Sequence, residues 1–171
     1  MAVIDIIIAP DPRLKITAKP VASVDDDVRK LMDDMLDSMH AANGIGLAAP
    51  QVGDGRRVIV IDISRPEDEP APICMANPEL LWLSDEEREH EEGCLSLPDH
   101  YAEVERPEAI RVKYLDHSGG EQEMEASGML ATCIQHEMDH LDGVLFVDHI
   151  SALKRKMIIR KLVKTKKMAN D

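Results

Sequence analysis

In Gln135-His136-Glu137-Met138-Asp139-His140, two histidines four residues apart bracket a glutamate, and the apolar run Met129-Leu130-Ala131-Thr132-Cys133-Ile134 leads into them. On an α-helix, side chains at this spacing differ by about 40° in direction and about 6 Å in height, so two imidazoles can meet one metal ion. Glu137 lies about 60° from His140 and about 100° from His136, which sets its carboxylate beside such an ion instead of on it. A carboxylate so placed can take a proton from a metal-ligated water. The plainer alternative is a solvated helix face with two ordinary histidines. It fits poorly with the apolar turns before it, where unpaired charge is costly. Ser127 is a usable N-cap and Asp142-Gly143 a stop, which predicts a central helix over Met129–Leu141.

The segments to either side predict an α+β fold, with strands grouped in the middle and helices at the ends. Val28, Leu31, Met32, Met35, Leu36 and Met39 recur at spacings of three and four, a helical stripe that begins near Val24 and stops at Asn43-Gly44. Strand-like runs follow at Val58–Ile61, Ile73–Met75, Leu80–Leu83, Cys94–Leu97, Ile110–Tyr114 and Gln122–Met124, with a hairpin turn at His117–Gly120. The start, Met1 to Pro10, reads as a first strand, because Asp5 and the lack of a basic flank argue against a signal peptide. Asp11-Pro12-Arg13-Leu14 reads as a turn. A last helix after Ser151 is expected to place Leu153, Met157, Leu162 and Val163 on one face. The overall expectation is one domain over residues 1–171, mostly antiparallel strands packed around a central metal-binding helix, with an N-terminal helix and a C-terminal helix.

Composition excludes several classes of function. No apolar run approaches the roughly 18 residues that would span a bilayer. Three cysteines and no export signal argue against a disulfide framework and for a reducing, cytoplasmic setting. A net charge of −13 and four aromatic residues (one Trp, one Phe, two Tyr) argue against general nucleic-acid binding. The charge is uneven, however: residues 1–150 carry −20 and the last 21 carry +7, with eight Lys and Arg between Lys154 and Lys167.

Two histidines need a third ligand. Downstream, Phe146 stands where a metzincin pattern would place its last histidine, and no Glu follows Glu137. His149 remains a downstream option. Upstream, Glu92-Gly93-Cys94-Leu95-Ser96-Leu97 offers Cys94. In an extended strand Leu95 and Leu97 would face the core, and Cys94 would project into a cleft. A thiolate with two imidazoles leaves a net +1 centre on a divalent ion, which still lowers the pKa of bound water. Cys133, three residues before His136, is expected to line the pocket or the core. In Gly44-Ile45-Gly46-Leu47-Ala48-Ala49-Pro50-Gln51 the small residues let a substrate backbone approach closely, and the Gln51 amide is a donor suited to an oxyanion. A helix cap and a tight lead into a strand would explain the same glycines.

Together and in this order, Gly44–Gln51, Glu92–Ser96 and Gln135–His140 resemble the three signatures of bacterial-type peptide deformylases, G-I-G-L-A-A-x-Q, E-G-C-L-S and Q-H-E-x-D-H. The resemblance implies a metal-dependent hydrolase that removes the N-formyl group from the initiator methionine of nascent polypeptides and releases formate. It implies that Cys94, His136 and His140 hold the metal and that Glu137 is general base and then general acid. Gln51 and the Leu95 N–H would receive the oxyanion. The peptide would lie as an added strand against Ile45, Gly46 and Gly93, with its methionine near Ile45, Thr132, Cys133 and His136. Glu92 would pair with Arg106. The family's usual metal is Fe²⁺, with Zn²⁺, Ni²⁺ or Co²⁺ able to replace it, and the basic C-terminal helix would dock on the ribosome. Tyr101 departs from the arginine of the best-known members, which changes the pocket rim. Thr132 departs from their branched aliphatic residue. Two rival readings are another mononuclear metallopeptidase built on an HExxH helix, and a metal-stapled module with no activity.

Overall fold

The computed structural model describes residues 2–170, in ten principal elements. These are α1 (Asp26–Ala41), β1 (Gly46–Ala48), β2 (Val58–Ile61), β3 (Ile73–Leu83), β4 (Glu87–Cys94), β5 (Leu97–Pro107), β6 (Ala109–Leu115), β7 (Glu121–Ser127), α2 (Gly128–Leu141) and α3 (Ala152–Asn170). Strands β1-β2-β3-β6-β7 form one sheet and β4-β5 another, and every ladder is antiparallel. The α+β expectation therefore holds.

The run Val58-Ile-Val-Ile61 explains the layering, because all four residues are fully buried. A strand with no polar alternation must be covered on both faces. Ile59 and Ile61 face α2, joining Ala131, Ile134 and Leu141. Val58 and Val60 face α1, joining Leu31, Met32, Met35 and Met39. Thus α2 lies in the core, as its apolar turns require.

The two ends of α2 are finished differently. Ser127 stands at the N-cap position, though its hydroxyl makes no capping bond. At the other end, carbonyls left free by the last turn need donors. Leu141 O accepts from Ala18 N at 2.7 Å and from the Arg57 guanidinium at 3.1 Å. Arg57 also reaches Asp142 at 3.0 Å.

Four expectations need correction. The N-terminal segment is not a strand: Ala2 N donates to Asp34 Oδ1 at 2.8 Å and Ile4 N to Ser38 Oγ at 2.7 Å. Two polar side chains one turn apart on α1 thus replace a ladder; Met1 lies outside the described residues. Cys94–Leu97 is a hairpin and not one extended strand, since Cys94 pairs with Leu97 across the turn Leu95-Ser96. Leu95 consequently packs toward the α1 cluster and Leu97 into a third cluster with Val104 and Phe146. The runs Ile73–Met75 and Leu80–Leu83 are one bulged strand. Finally, α3 buries Leu162 and packs through Ile158 and Ile159, while Leu153, Met157 and Val163 are exposed. Leu153 and Leu162, nine residues apart, fall about 180° apart on a helix and cannot share a face.

Gly143, just past α2, has φ +75°, and a Cβ there would lie 2.5 Å from Lys15 O. Gly143→Ala is expected to lose about 2 kcal/mol through left-handed strain and this clash. Thermal unfolding should shift down by roughly 4–8 °C; an unchanged Tm would refute the tight packing at this helix end.

Candidate metal centre

One turn of α2 separates His136 from His140, and their rings meet edge to face with centroids 5.2 Å apart. The β4–β5 turn brings Cys94 to them, with its Sγ 3.3 Å from His140 Nε2. One ligand atom from each of Cys94, His136 and His140 lies within 4.8 Å of the others. Donors sharing a tetrahedral ion stand roughly 3.4–3.6 Å apart, so modest inward movement suffices. His149, the downstream option, is not in this group. It is hydrogen-bonded to Asp139 at 2.8 Å.

Electrostatics favour a cation here. Burial works against a charged His136, yet Glu137, Cys94 and Glu92 together hold its pKa well above the ordinary value. A hole lined by anionic groups attracts positive charge, whether a proton or a metal ion. His140 is held well below its ordinary pKa by burial and by the nearby His136 and Arg106, which keeps the lone pair of one ring nitrogen free to ligate. Cys133 is pushed up by burial and by the charge of Glu137, and so stays a neutral thiol.

The outer partners are set from β4 and β5. His136 Nδ1 meets Glu92 Oε1 at 2.8 Å, which turns its other nitrogen toward Cys94 and His140. Arg106 grips Glu92 through two bonds of 2.6 and 2.9 Å and reaches Asp139 at 2.8 Å. Burial pushes Glu92 up, but the bonds from His136 and Arg106 outweigh it and hold the carboxyl at about 2.

Glu137 is the atypical group. It is buried, and its Oε1 has no hydrogen-bond partner among the described residues; the other such atom is His140 Nδ1. Burial raises its carboxyl to about 7, against the pull of His136. A carboxyl of that kind can accept a proton and return it near neutrality. The floor is glycine for a steric reason, since a Cβ on Gly46 would collide with the Glu137 carboxylate. The donor set and the orphaned oxygen therefore fit a divalent ion with a water or substrate beside it.

A cavity of about 420 Å³ opens over this cluster, lined by Ile45, Gly46, Gln51, Gly93, Cys94, Leu95, Thr132, Cys133, His136 and Glu137 among others. The structure thus gathers these sequence-predicted residues, and His140 lies behind them. Gln51 is buried: its Oε1 accepts from Ala48 N at 2.9 Å, and its Nε2 donates to Ser96 Oγ at 3.0 Å and to Cys94 Sγ at 3.4 Å. The Cys133 thiol points to Ile45 O at 3.7 Å, and the Thr132 hydroxyl accepts from Arg88 at 3.1 Å. Sequence reasoning missed Met129, Ser96 and Asp139. Met129 was recoverable, because 129, 132, 133 and 136 follow the three-and-four spacing of one helix face.

Residues 3–156 match the family model described as polypeptide deformylase. A peptide deformylase of Methylocella silvestris is 60% identical over 95% of this chain and 85% of its own length. One from Phenylobacterium zucineum is 53% identical over 99% of this chain and 100% of its own. The crystal structure of peptide deformylase from Ehrlichia chaffeensis superimposes with a TM-score of 0.94 at 38% identity, covering 99% of this chain and 100% of that one.

Cys94→Ala should leave isolated protein with far less bound metal than wild type. A chelator should lower the Tm of wild type and leave the variant unmoved. Equal metal content in the two proteins would remove Cys94 from the ligand set.

Proposed function

The chain belongs to the peptide deformylase family, and from that premise we propose how its residues divide the work of removing the formyl group from nascent formyl-methionyl peptides. The observation that carries the proposal is the unpartnered, buried Glu137 carboxylate beside three converging donors.

Cys94, His136 and His140 would hold one divalent ion, Fe²⁺ in the cell, with Zn²⁺, Ni²⁺ or Co²⁺ as substitutes. Such an ion supplies Lewis acidity, lowering the pKa of a water it ligates and polarising the formyl oxygen. Glu137 takes the proton of the attacking water and delivers it to the leaving amine. The Gln51 amide has two hydrogens, now directed at Ser96 and Cys94. The one on the sulfur is the weaker bond, and it turns to the developing oxyanion together with the Leu95 N–H. Ile45, Gly46 and Gly93 offer backbone to an extended peptide. Ile45, Thr132, Cys133 and Met129 receive the methionine side chain. Formate and a free N-terminal methionine leave.

An endopeptidase on the same helix motif is disfavoured by the cysteine donor upstream and by the absence of any Glu after Glu137. A closed, purely structural site is disfavoured by the unpartnered carboxylate. We assign the whole chain to one catalytic domain working in the cytoplasm; no described helix is long and apolar enough to cross a membrane. In α3 all eight Lys and Arg are exposed and no acid is present, which suits docking on ribosomal RNA.

Formate release from formyl-Met-Ala-Ser by anaerobically purified protein tests the assignment, with the acetylated peptide as control. Glu137→Ala should keep its metal and lose roughly 10²–10⁴-fold in rate, so a fully active variant would end the proton-transfer role. Co-sedimentation with ribosomes should be strong at low salt and fall steeply as salt rises, and Lys161→Glu with Lys164→Glu should abolish it. Salt-insensitive binding, or none, would dismiss the helix as a dock.

A further inference from the structure

Cross-strand partners share one face of a sheet, so the ladders show on which side of β3-β6-β7 each residue lies. Leu80, Ile110, Val112, Met124 and Ala126 lie on the side packed against α2. The opposite side carries Glu79, Lys113 and Glu123 in one row and Trp82, Arg111 and Glu125 in the next. The α1 cluster reaches that side at Ala76 and Leu115. Beyond them it is open, and Glu79, Trp82, Arg111, Glu123 and Glu125 are all exposed.

Trp82 is the single tryptophan of the chain, and it is 49% exposed. Leu81, the extra residue of a bulge between Leu80 and Trp82, is exposed beside it. A cavity of about 510 Å³ adjoins the indole, lined by Ala109, Arg111, Glu125 and Ser127 among others. A large aromatic side chain left half in water beside a recess is typical of a surface that binds another protein.

The charges select the partner. On this side β6 presents cations and β7 anions: Arg111 meets Glu125 at 2.6 Å, and Lys113 meets Glu121 at 2.6 Å. These four side chains are between 43% and 69% exposed, so the pairs are solvated and change partners at little cost. A half-turn about an axis parallel to the strands, midway between β6 and β7, lays the cations of one copy over the anions of another. Arg111 then faces the second copy's Glu125, and Lys113 its Glu123. A partner of one sign would leave one of the two strands facing like charge.

We propose that this face pairs two copies of the chain about such a twofold axis. The ion pairs lie at its centre. Each Trp82, one strand further out, closes over the β7 strand of the other copy, which is the edge of its sheet. Because α2 lies on the other side of the sheet, the metal centre stays outside the contact. The contact is small, so the pair is a weak one, with a Kd on the order of tens of micromolar at low salt.

Sedimentation equilibrium of the full chain, from about 2 to about 300 µM, tests this. Wild type should pass from monomer to dimer at about 20 mM salt and associate severalfold more weakly at about 0.5 M. The emission of the single indole should move to the blue as the dimer forms. Trp82→Ala should weaken association by roughly tenfold or more. Arg111→Glu alone and Glu125→Arg alone should stay monomeric with the circular dichroism of wild type. An equimolar mixture of those two charge variants should associate again, because the reversed charges then face each other across the axis. A wild-type chain that stays monomeric at low salt, or a dimer that forms equally well in all three variants, would overturn the proposal. A mixture of the two charge variants that stays monomeric would overturn it as well.

Discussion

Glu92 gives its carboxylate to Arg106 on one side and to His136 on the other, and the relation between the hairpin and the central helix depends on that sharing. The β4–β5 hairpin places little apolar surface in the core; Leu97 and Val104 are its buried hydrophobic residues. An ionic connection, more than shape, therefore sets where Cys94 comes to rest against α2. Removing one partner of a buried pair strands the other charge, typically at about 3–5 kcal/mol. Arg106 extends the connection to Asp139, between the two histidines, and Asp139 extends it to His149. The histidine that was an option for the metal is thus the outer end of the network that orients another.

Legibility in the sequence followed the strength of each local signal. The stripe of α1 and the histidine spacing of α2 are periodic, the run of β2 is uninterrupted, and these elements are legible. The long hairpin is not, because its inward positions include Arg88, Glu92 and Arg106 and its outward positions Glu89, Glu91, Glu103 and Glu105. Polar residues on both faces hide the two-residue period. The buried face of α3 is hard to read because few apolar residues stand among its lysines, and Ile158, Ile159 and Leu162 pack inward while Leu153, Met157 and Val163 do not. Within the site, Cys94 could be nominated by its sequence setting and by the resemblance, but its approach to His140 depends on a turn at Leu95-Ser96 that no glycine or asparagine marks. Asp139 was invisible as a partner because Arg106 lies 33 residues away in the chain.

The N-terminal segment shows how irregular chain can be as determined as a strand. After Asp34 and Ser38 seat its first residues, Ile7 N donates to Gln51 O at 2.7 Å and Ala9 N to Ser96 O at 2.8 Å. Those carbonyls belong to the residue that offers the side-chain amide and to the residue whose hydroxyl holds that amide. Helix α1 thereby acts on the site at a distance: its buried polar pair fixes a segment that braces Gln51 and Ser96 from behind.

On the outward face of the hairpin Glu89 and Glu91 stand opposite Glu105 and Glu103, an exposed row of carboxylates that bears on self-assembly. A two-stranded sheet leaves ladder-free edges, and an edge fit to receive an extended peptide is also fit to receive the same edge of another molecule. Repeated carboxylates at Glu87, Glu89 and Glu91 make two such edges repel wherever they meet. The repulsion that weakens the hairpin within one molecule would in this way guard the dense, many-copied solution of a cell against fibre-like stacking, while leaving the groove free for a single unfolded chain.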